Sequence, residues 1–318
     1  MNIVEVKNLA DAIRAQMAKA IIGQTDTLDL LLTGLFAGGH VLLEGPPGTA
    51  KTFLTQCFSQ TLGLKYGRIQ FTPDLMPGDI LGTNLYNFQT GQFSLTKGPI
   101  FCDLLLADEI NRTPPKTQAA LLEAMQERQV TLDGQPHALG EHFMVVATQN
   151  PIEQQGTYPL PEAQLDRFLF KHLVGYPNAH EEEALVTAHG NRTGQPSPAA
   201  LGVATVASPD LIRAAIRTAA ENRLNPDIVA YIVALVRLTR EDRDLSVGAS
   251  PRSGAMLATA SRAYAALQGR DYVLPDDVKI LFLPAMRHRV ILAPGAEIDG
   301  RQVDEVLSRL CEQVPAPR

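Results

Sequence analysis

Residues 45–52 read Gly-Pro-Pro-Gly-Thr-Ala-Lys-Thr and directly follow an apolar run at 40–44. A glycine-rich turn between a buried strand and a helix points its backbone N–H groups at phosphate oxygens, and the helix start adds its positive end. Lys51 can reach the β- and γ-phosphates of a nucleoside triphosphate, and the Thr52 hydroxyl can ligate Mg²⁺. A Gly/Pro-rich turn is often only a turn, so the Lys-Thr pair decides in favour of phosphate binding.

Ala50 departs from the usual pattern, because a glycine is expected before the lysine. Alanine tolerates a helical backbone, so we expect the helix to begin at this position, with a narrower approach to the phosphates. The residues predicted to hold the phosphates are Gly45, Pro46, Pro47, Gly48, Thr49, Ala50, Lys51 and Thr52.

Two adjacent carboxylates, Asp108 and Glu109, end an apolar run that starts at residue 103. At the carboxyl end of a strand beside a phosphate-binding loop, Asp108 would support Mg²⁺ through water, and Glu109 would orient and deprotonate an attacking water. A merely solvated acidic strand end is the alternative, and the phosphate-binding loop upstream argues against it. Thr52 and Asp108 are therefore the predicted metal residues.

Asn150 and Arg252 are candidates for contacting the γ-phosphate. Asn150 follows the apolar run 142–148, where an uncharged amide could bond both the γ-phosphate and the lytic water, although Asn-Pro is also a common turn pair. Arg252 follows Pro251 at a predicted helix start, from which it could reach the γ-phosphate across a cleft between domains. An ordinary solvated arginine is the alternative for this position.

Arg167 lies in a Leu-Asp-Arg-Phe segment before the fifth strand candidate. An arginine at a domain edge can enter the site of a neighbouring subunit and stabilise the transferring phosphoryl group, which is worth about 10³–10⁵ in rate. The alternative is a surface ion pair with Glu162 or Asp166, worth roughly 0–1 kcal/mol. The sequence alone does not choose between the two.

Ile22, Gly23 and Gln24 lie between two predicted helices. A backbone turn flanked by isoleucines could hold adenine by apolar contact and main-chain hydrogen bonds. The seven histidines show no metal-ligand spacing, and His288, which stands between two arginines, is expected at the surface.

The composition bounds the class of protein. With 318 residues, 45% of them hydrophobic, the chain is long enough for two domains with a substantial core. A net charge of −6 and 6% aromatic residues argue against a general nucleic-acid or membrane-surface binder. The three cysteines lack metal-ligand spacing and are expected to be buried thiols. With no signal-peptide pattern and no long apolar stretch, we expect a cytoplasmic protein.

The first 178 residues alternate strand-like and helix-like patterns, which predicts an α/β fold with a doubly wound parallel sheet. The strand candidates are continuous apolar runs, as suits a sheet covered on both faces. They are 40–44, 66–71, 103–108, 142–148 and 168–174, and helices are predicted near 8–20, 25–37, 51–62, 114–127 and 161–167.

Two alternating segments interrupt this order, 83–95 about Thr-Gly and 129–135 about Asp-Gly. Both are typical of hairpins, inserted near 83–97 and 129–141. The alternative for each is an ordinary ribbon at the surface without a functional role. Residues 179–208 are predicted as a linker, because Gly, Pro and small polar residues accumulate from 189 onward.

From residue 209 to 318 the pattern is helical, with a short hairpin or turn after 291. The predicted helices are 209–222, 226–239, 251–268, 275–286 and 303–312. This part of the chain is predicted to form a second, helical domain.

In combination these motifs resemble the AAA+ ATPases, and specifically their MoxR branch. The match runs through residues 22–24, 44–52, 70–77, 107–112, 147–151, 160–168 and 250–252. Ala50, unusual in a general phosphate-binding loop, is at home in this branch. The resemblance therefore spans nearly the whole chain.

The resemblance implies an AAA+ P-loop NTPase core at 1–178, with sheet order 5-1-4-3-2, and a helical lid at 209–318. It implies ATP and Mg²⁺ as cofactors and a site between the subunits of a ring, most often a hexamer. It assigns ATP–Mg²⁺ binding to Lys51 and Thr52, metal support to Asp108, the base to Glu109, the first sensor to Asn150, the trans-acting finger to Arg167 and the second sensor to Arg252.

MoxR-type proteins act as chaperones that mature or remodel a protein client, often with a partner that carries a von Willebrand factor A domain. By this resemblance, one of the two hairpins would face the ring pore or a partner. A nucleic-acid-directed motor or loader of the same fold is the main alternative, and the acidic composition disfavours it. A nucleotide-binding module without hydrolysis is a third, against which Glu109, Asn150 and Arg167 argue.

Overall fold

The computed structural model describes residues 1–89, 91–151, 156–190 and 197–317. Its strands are β1 (Val41–Glu44), β2 (Tyr66–Gln70), β3 (Gly82–Asn87), β4 (Gln92–Lys97), β5 (Leu104–Asp108), β6 (Gln129–Leu132), β7 (Gln135–Ala138), β8 (Met144–Gln149), β9 (Phe170–Leu173), β10 (Leu245–Val247) and β11 (Ile291–Leu292). Its helices are α1 (Ile3–Met17), α2 (Thr25–Phe36), α3 (Lys51–Leu62), α4 (Pro77–Leu81), α5 (Pro115–Glu127), α6 (Glu162–Leu165), α7 (Ala179–His189), α8 (Pro209–Ala220), α9 (Pro226–Glu241), α10 (Pro251–Leu267), α11 (Pro275–Met286), α12 (Pro294–Ile298) and α13 (Val303–Gln313).

A parallel sheet of β1, β2, β5, β8 and β9 organises the first half of the chain, in the order β2-β5-β8-β1-β9. Numbered along the chain and read from the β9 edge, these strands stand in the order 5-1-4-3-2, which confirms the predicted topology. Because β8 lies between β1 and β5, the residues that follow these three strands meet at one edge of the sheet.

The strands of this sheet are buried on both faces, and β5 shows why. Alternate side chains of a strand point to opposite faces of the sheet. Leu104 and Leu106 belong to the apolar cluster that includes α1, α2 and α3, whereas Leu105 and Ala107 pack with residues of α5. All residues of β5 are buried, so a continuous apolar run is what this position requires.

The two predicted hairpins are confirmed. β3 pairs antiparallel with β4, and β6 pairs antiparallel with β7. At the second turn, Asp133 has φ 47° and Gly134 has φ 77°, the left-handed values that a two-residue hairpin turn needs. In the first turn, Thr90 lies outside the described residues.

The predicted linker, 179–208, is wrong in its first part, because helix α7 occupies Ala179–His189. The helix begins with a capping box: the Asn178 side chain accepts from the Glu181 N–H at 3.0 Å, and the Glu181 carboxylate accepts from the Asn178 N–H at 3.0 Å. This Asn-x-x-Glu signal was present in the sequence. Residues 191–196 of the predicted linker lie outside the described residues.

A second capping box lengthens α1. Asn2 accepts from the Glu5 N–H at 2.9 Å, and the Glu5 carboxylate accepts from the Asn2 N–H at 2.7 Å. The helix therefore spans Ile3–Met17, rather than the predicted 8–20. Helices α3 and α11 have the predicted bounds.

The second half of the chain carries α8 to α13, but it is not purely helical. β10 and β11 form a small antiparallel ribbon, which the short apolar segments did not reveal. One apolar cluster continues from the sheet through α1 and α2 into α8–α11 and α13, so a division of the chain at 178 and 208 stays a prediction.

Two expectations from composition can be compared with the structure. Cys57, Cys102 and Cys311 are free and buried, as expected. Among the described residues, none of the helices has both the length and the apolar character that crossing a bilayer requires.

Candidate functional site

A cavity of about 490 Å³ opens at the carboxyl ends of β1, β5 and β8. The structure brings together here most of the residues predicted from the sequence: Pro47, Gly48, Thr49, Ala50, Lys51, Thr52, Asp108, Glu109 and Asn150. The lining is completed by residues to which the sequence gave no role: Phe53, Gln56, Arg68, Gln70, Thr148 and Gln149. The parallel sheet explains this convergence, because it delivers three strand ends to one place.

Lys51 is the first residue of α3, and its ammonium folds back onto the preceding loop. Nζ donates to the carbonyl oxygens of Gly45 at 2.8 Å and Pro46 at 2.6 Å, and it lies 3.1 Å from Oγ1 of Thr49. Burial lowers the pKa of Lys51, while the carboxylates of Asp108 and Glu109 oppose this shift. The ammonium thus lies on neutral acceptors, which phosphate oxygens can replace.

The backbone at Ala50 differs from the expectation. Its φ of 57° and ψ of 20° are left-handed, so the expected helix start at Ala50 is wrong and α3 begins at Lys51. Gly48 also has a positive φ, of 83°. Left-handed geometry costs a residue with a Cβ about 1–2 kcal/mol, which is why glycine is usual at such positions. At Ala50, the left-handed backbone therefore adds strain of this size to the phosphate-binding loop.

Asp108 is held in place by three donors. Thr148 Oγ1 donates to Oδ1 at 2.6 Å, while Thr52 Oγ1 at 3.0 Å and Arg68 Nη2 at 2.9 Å donate to Oδ2. The carboxylate and the Thr52 hydroxyl offer the hard oxygen ligands that Mg²⁺ prefers. Within the described ranges no group of three His, Cys, Asp or Glu could hold a metal ion, so Mg²⁺ would also need phosphate and water oxygens.

Glu109 follows β5 with left-handed backbone angles, φ 58° and ψ 49°. Its N–H donates to Thr148 Oγ1 at 2.9 Å, which ties it to the support of Asp108. Its carboxylate accepts from Gln70 Nε2 at 2.7 Å and from Arg112 Nη1 at 2.9 Å. Gln70 and Arg112 therefore hold the carboxylate at the rim of the cavity. The sequence predicted this role for neither residue.

Asn150 follows β8 and is 8% exposed, so it is available only from the cavity side. The side-chain Oε1 of its neighbour Gln149 is buried without a hydrogen-bond partner in the described structure. Both amides lie beside Thr148, at the strand end nearest to the carboxylates.

A second pocket of about 270 Å³ adjoins the phosphate-binding loop. Ile22 and Gln24 line it, and Gln24 Nε2 donates to the Thr49 carbonyl at 2.9 Å. Its other walls are mainly apolar and include Phe53 and, from α7, Leu185. Such a slot next to the loop suits a flat purine ring. Helix α7, in the segment predicted as a linker, therefore contributes to the candidate site.

Gly23 shapes the turn before this pocket. Its φ is 70°, and an added Cβ would lie 2.7 Å from the Glu181 carboxyl group. The turn therefore favours glycine for both its backbone angles and its close approach to α7.

Arg167 and Arg252 do not line the cavity of their own chain. Arg167 donates to the Leu122 carbonyl of α5, and in the described structure it forms no ion pair with Glu162 or Asp166, which contradicts the surface-pair alternative. Arg252 is 54% exposed, and its Nη1 lies 3.4 Å from the Asp166 carboxylate.

His288 is buried, not at the surface as expected. Its Nε2 bonds the Phe168 carbonyl at 3.0 Å, and burial holds its pKa well below the usual range. The next residue, Arg289, is also buried and pairs with Asp166. The sequence gave no signal for either, because a short run of basic residues is normally solvated.

Comparison with known proteins agrees with this geometry. Residues 40–170 match the family model described as ATPase family associated with various cellular activities (AAA), and residues 237–310 match the AAA lid domain. The chain is 42% identical to Chaperone MoxR1 of Mycobacterium tuberculosis, over 99% of this chain and 84% of that protein. This chain belongs to the MoxR family of AAA+ ATPases.

Two further relatives of this MoxR-family chain span its length. The uncharacterized protein YeaC of Bacillus subtilis is 43% identical, over 94% of this chain and 92% of that protein. A crystal structure of a protein from Cytophaga hutchinsonii that is classed as an ATPase has a TM-score of 0.90 and 36% identity, covering 99% of this chain and 97% of that one. The AAA+ core with its helical lid is thereby confirmed, and the family supports nucleotide binding, ATPase activity and a chaperone role of the MoxR type.

Proposed function

We propose that this chain hydrolyses ATP to ADP and phosphate with Mg²⁺, in a ring of identical subunits that is most often hexameric in this family. One observation carries the proposal. The phosphate-binding loop, the predicted metal residues, the predicted base Glu109 and the amide of Asn150 all line one cavity, whereas Arg167 lies outside it. A finger that lies outside its own cavity is suited to complete the site of a neighbouring subunit.

Each residue has a distinct task in this proposal. The loop N–H groups and Lys51 bind the phosphates, and Thr52 and Asp108 hold Mg²⁺, which neutralises phosphate charge when it is bound. Glu109 takes a proton from the attacking water; Gln70 and Arg112 both donate to its Oε2, so its other oxygen, Oε1, can accept from that water. Asn150 orients the same water, and Arg252 contacts the γ-phosphate from the lid.

We further propose that the ring remodels or matures a protein client, with a von Willebrand A-domain protein as partner. The name of the relative MoxR1 supports a chaperone role. The β3–β4 hairpin supports contact with a protein, since Leu85 is 56%, Tyr86 45% and Phe88 90% exposed. Tyr86 and Phe88 also contact each other edge to face at 5.1 Å, forming a small apolar surface.

Three variants test the catalytic part. Lys51→Ala should lose nucleotide binding, whereas Glu109→Gln and Arg167→Ala should keep binding and lose turnover, measured as phosphate release with Mg²⁺ and with EDTA. Arg223→Ala is the matched control, because this arginine is 73% exposed in a surface pair with Asp271. Mixing Lys51→Ala with Arg167→Ala subunits should restore part of the activity.

The absence of rescue in rings shown to contain both subunits would contradict a shared site. Stimulation of turnover by single-stranded DNA that falls steeply with salt would instead support a nucleic-acid motor, which the net charge of −6 disfavours.

A further inference from the structure

The contact between the lid and the segment before β9 centres on one carboxylate, that of Asp166, which directly precedes the predicted finger. Arg289 Nε donates to Oδ1 of Asp166 at 2.8 Å, and Arg252 Nη1 donates to Oδ2 at 3.4 Å. Both arginines belong to the helical half of the chain: Arg289 lies three residues after the end of α11, and Arg252 is in the first turn of α10. The lid therefore holds the residue next to Arg167 by its side chain.

Arg289 also holds the backbone on both sides of the finger. Its side chain is 2% exposed, and its guanidinium donates to the carbonyl oxygens of Asp166 at 3.2 Å, Phe168 at 2.6 Å and Leu169 at 3.2 Å. His288 adds a bond to the Phe168 carbonyl at 3.0 Å. A planar guanidinium can serve these acceptors together in one fixed geometry, which an ammonium group cannot do.

Arg167 itself makes a different contact. Its Nη1 donates to the Leu122 carbonyl of α5, on the other side of the segment. The residues before and after it, Asp166 and Phe168, are both bonded to Arg289, so a single lid side chain links the backbone that carries the finger to the lid.

We propose that Arg289 and Asp166 are positioning residues for the Arg167 finger, so that the lid of one subunit sets the hydrolysis rate in the neighbouring subunit. This inference rests on the proposed function of Arg167. Arg252, the proposed sensor of the chain's own γ-phosphate, also lies 3.4 Å from the carboxylate of Asp166, but this exposed pair is weak and the proposal rests on Arg289. A displacement of a catalytic group by 1 Å can cost on the order of 10²-fold in rate.

The test uses rings that combine two kinds of subunit, co-expressed and purified through two different tags. The donor carries Lys51→Ala and can supply only the finger, and the acceptor carries Arg167→Ala and can supply only the ATP site. Asp166→Asn is added to the donor in one preparation and to the acceptor in another.

In the donor, Asp166→Asn should lower the kcat of the mixed ring by about 10- to 100-fold, with an unchanged KM for ATP. In the acceptor it should leave kcat unchanged, because the finger that Asp166 would position is already replaced by alanine there, and the exposed pair with Arg252 at 3.4 Å is worth little. Arg289→Lys, which keeps the charge without the fork, should give a smaller loss, again only in the donor, and replaces Asp166→Asn if that variant does not fold.

Asp277→Asn in the donor is the matched control. Asp277 is a buried lid carboxylate bonded to Arg270 at 2.7 and 2.6 Å, and it lies in the first turn of α11. Its loss removes a buried Arg–Asp ion pair elsewhere in the lid without touching residues 166–169, so the rescue should remain.

Full rescue by donors with Asp166→Asn, or an equal loss in donor and acceptor, would overturn the positioning role while leaving the shared site intact. An equal loss with Asp277→Asn would likewise show a general effect of lid stability. If the parent Lys51→Ala and Arg167→Ala subunits fail to rescue each other, the trans-acting finger itself is refuted, and this inference with it.

Discussion

Thr148 joins the two acidic residues of the site, and its replacement by valine tests whether that bridge organises them. Thr148 is 1% exposed, and its Oγ1 donates to Asp108 Oδ1 at 2.6 Å and accepts from the Glu109 N–H at 2.9 Å. Valine has nearly the same shape without the hydroxyl, so Thr148→Val removes both bonds with little change in volume.

The expected loss of stability in Thr148→Val follows from the two groups that its hydroxyl bonds, a carboxylate and a backbone N–H. A hydrogen bond to a charged group contributes about 1.5–3 kcal/mol and a neutral one about 0.5–1.5 kcal/mol. Thr239 in the lid offers a matched control, since it is fully buried, donates to the Val236 carbonyl at 2.6 Å and accepts from the Ala249 N–H at 2.9 Å. Thr148→Val should therefore lower the free energy of unfolding by about 1 kcal/mol more than Thr239→Val.

The assay combines urea unfolding, followed by circular dichroism, with initial rates of phosphate release from ATP. We expect Thr148→Val to lower kcat by about 10-fold or more, which corresponds to about 1.4 kcal/mol in the transition state, and Thr239→Val to leave kcat unchanged. Equal losses of stability in the two variants, together with full turnover in Thr148→Val, would refute the claim that the hydroxyl bridge organises Asp108 and Glu109.

Three further predictions concern the backbone at two positions and one buried histidine. Ala50→Gly should raise the free energy of unfolding by up to about 1 kcal/mol in urea titrations, because relief of the left-handed geometry outweighs the added chain entropy, whereas Ala119→Gly in the right-handed α5 should lower it. Gly23→Ala should weaken ATP binding in fluorescence titrations, since its Cβ would lie 2.7 Å from the Glu181 carboxyl group at a φ of 70°, and unchanged affinity would argue against the adenine pocket. Burial lowers the pKa of His40 to about 4, so the unfolded chain binds a proton more readily than the folded one between that pH and about 6.5. Stability should therefore fall by roughly 3 kcal/mol from this residue as the pH drops through that range, which urea titrations at a series of pH values would measure.

The fold was largely predictable because its signals are local. The buried strands read as unbroken apolar runs, and the loop at 45–52 fixed which strand precedes the phosphate site. Convergence of Lys51, Asp108 and Asn150 then followed from the parallel order of the sheet. The linker predicted at 179–208 was wrong in its first part because the capping box at Asn178 starts a helix there, in a segment assigned to the linker by composition.

The parts that the sequence did not predict depend on contacts between distant segments. The left-handed angle at Ala50 is imposed by the loop around it and has no signature in the residue type. Arg68 on β2 donates to Asp108 on the neighbouring strand β5. Arg289 bonds to residues 166–169, which lie more than a hundred positions earlier in the chain. Such pairings are set by tertiary packing, so neither spacing nor periodicity reveals them.

The claim that a single copy of the chain cannot complete its own site is tested most directly by dilution. ATP turnover per subunit should be measured over a range of protein concentrations, alongside the assembly state by analytical ultracentrifugation with ATP and Mg²⁺. The account predicts that turnover disappears together with the assembled species, while ATP binding to the monomer persists. Monomers that turn over ATP as fast per chain as the assembled protein would contradict it.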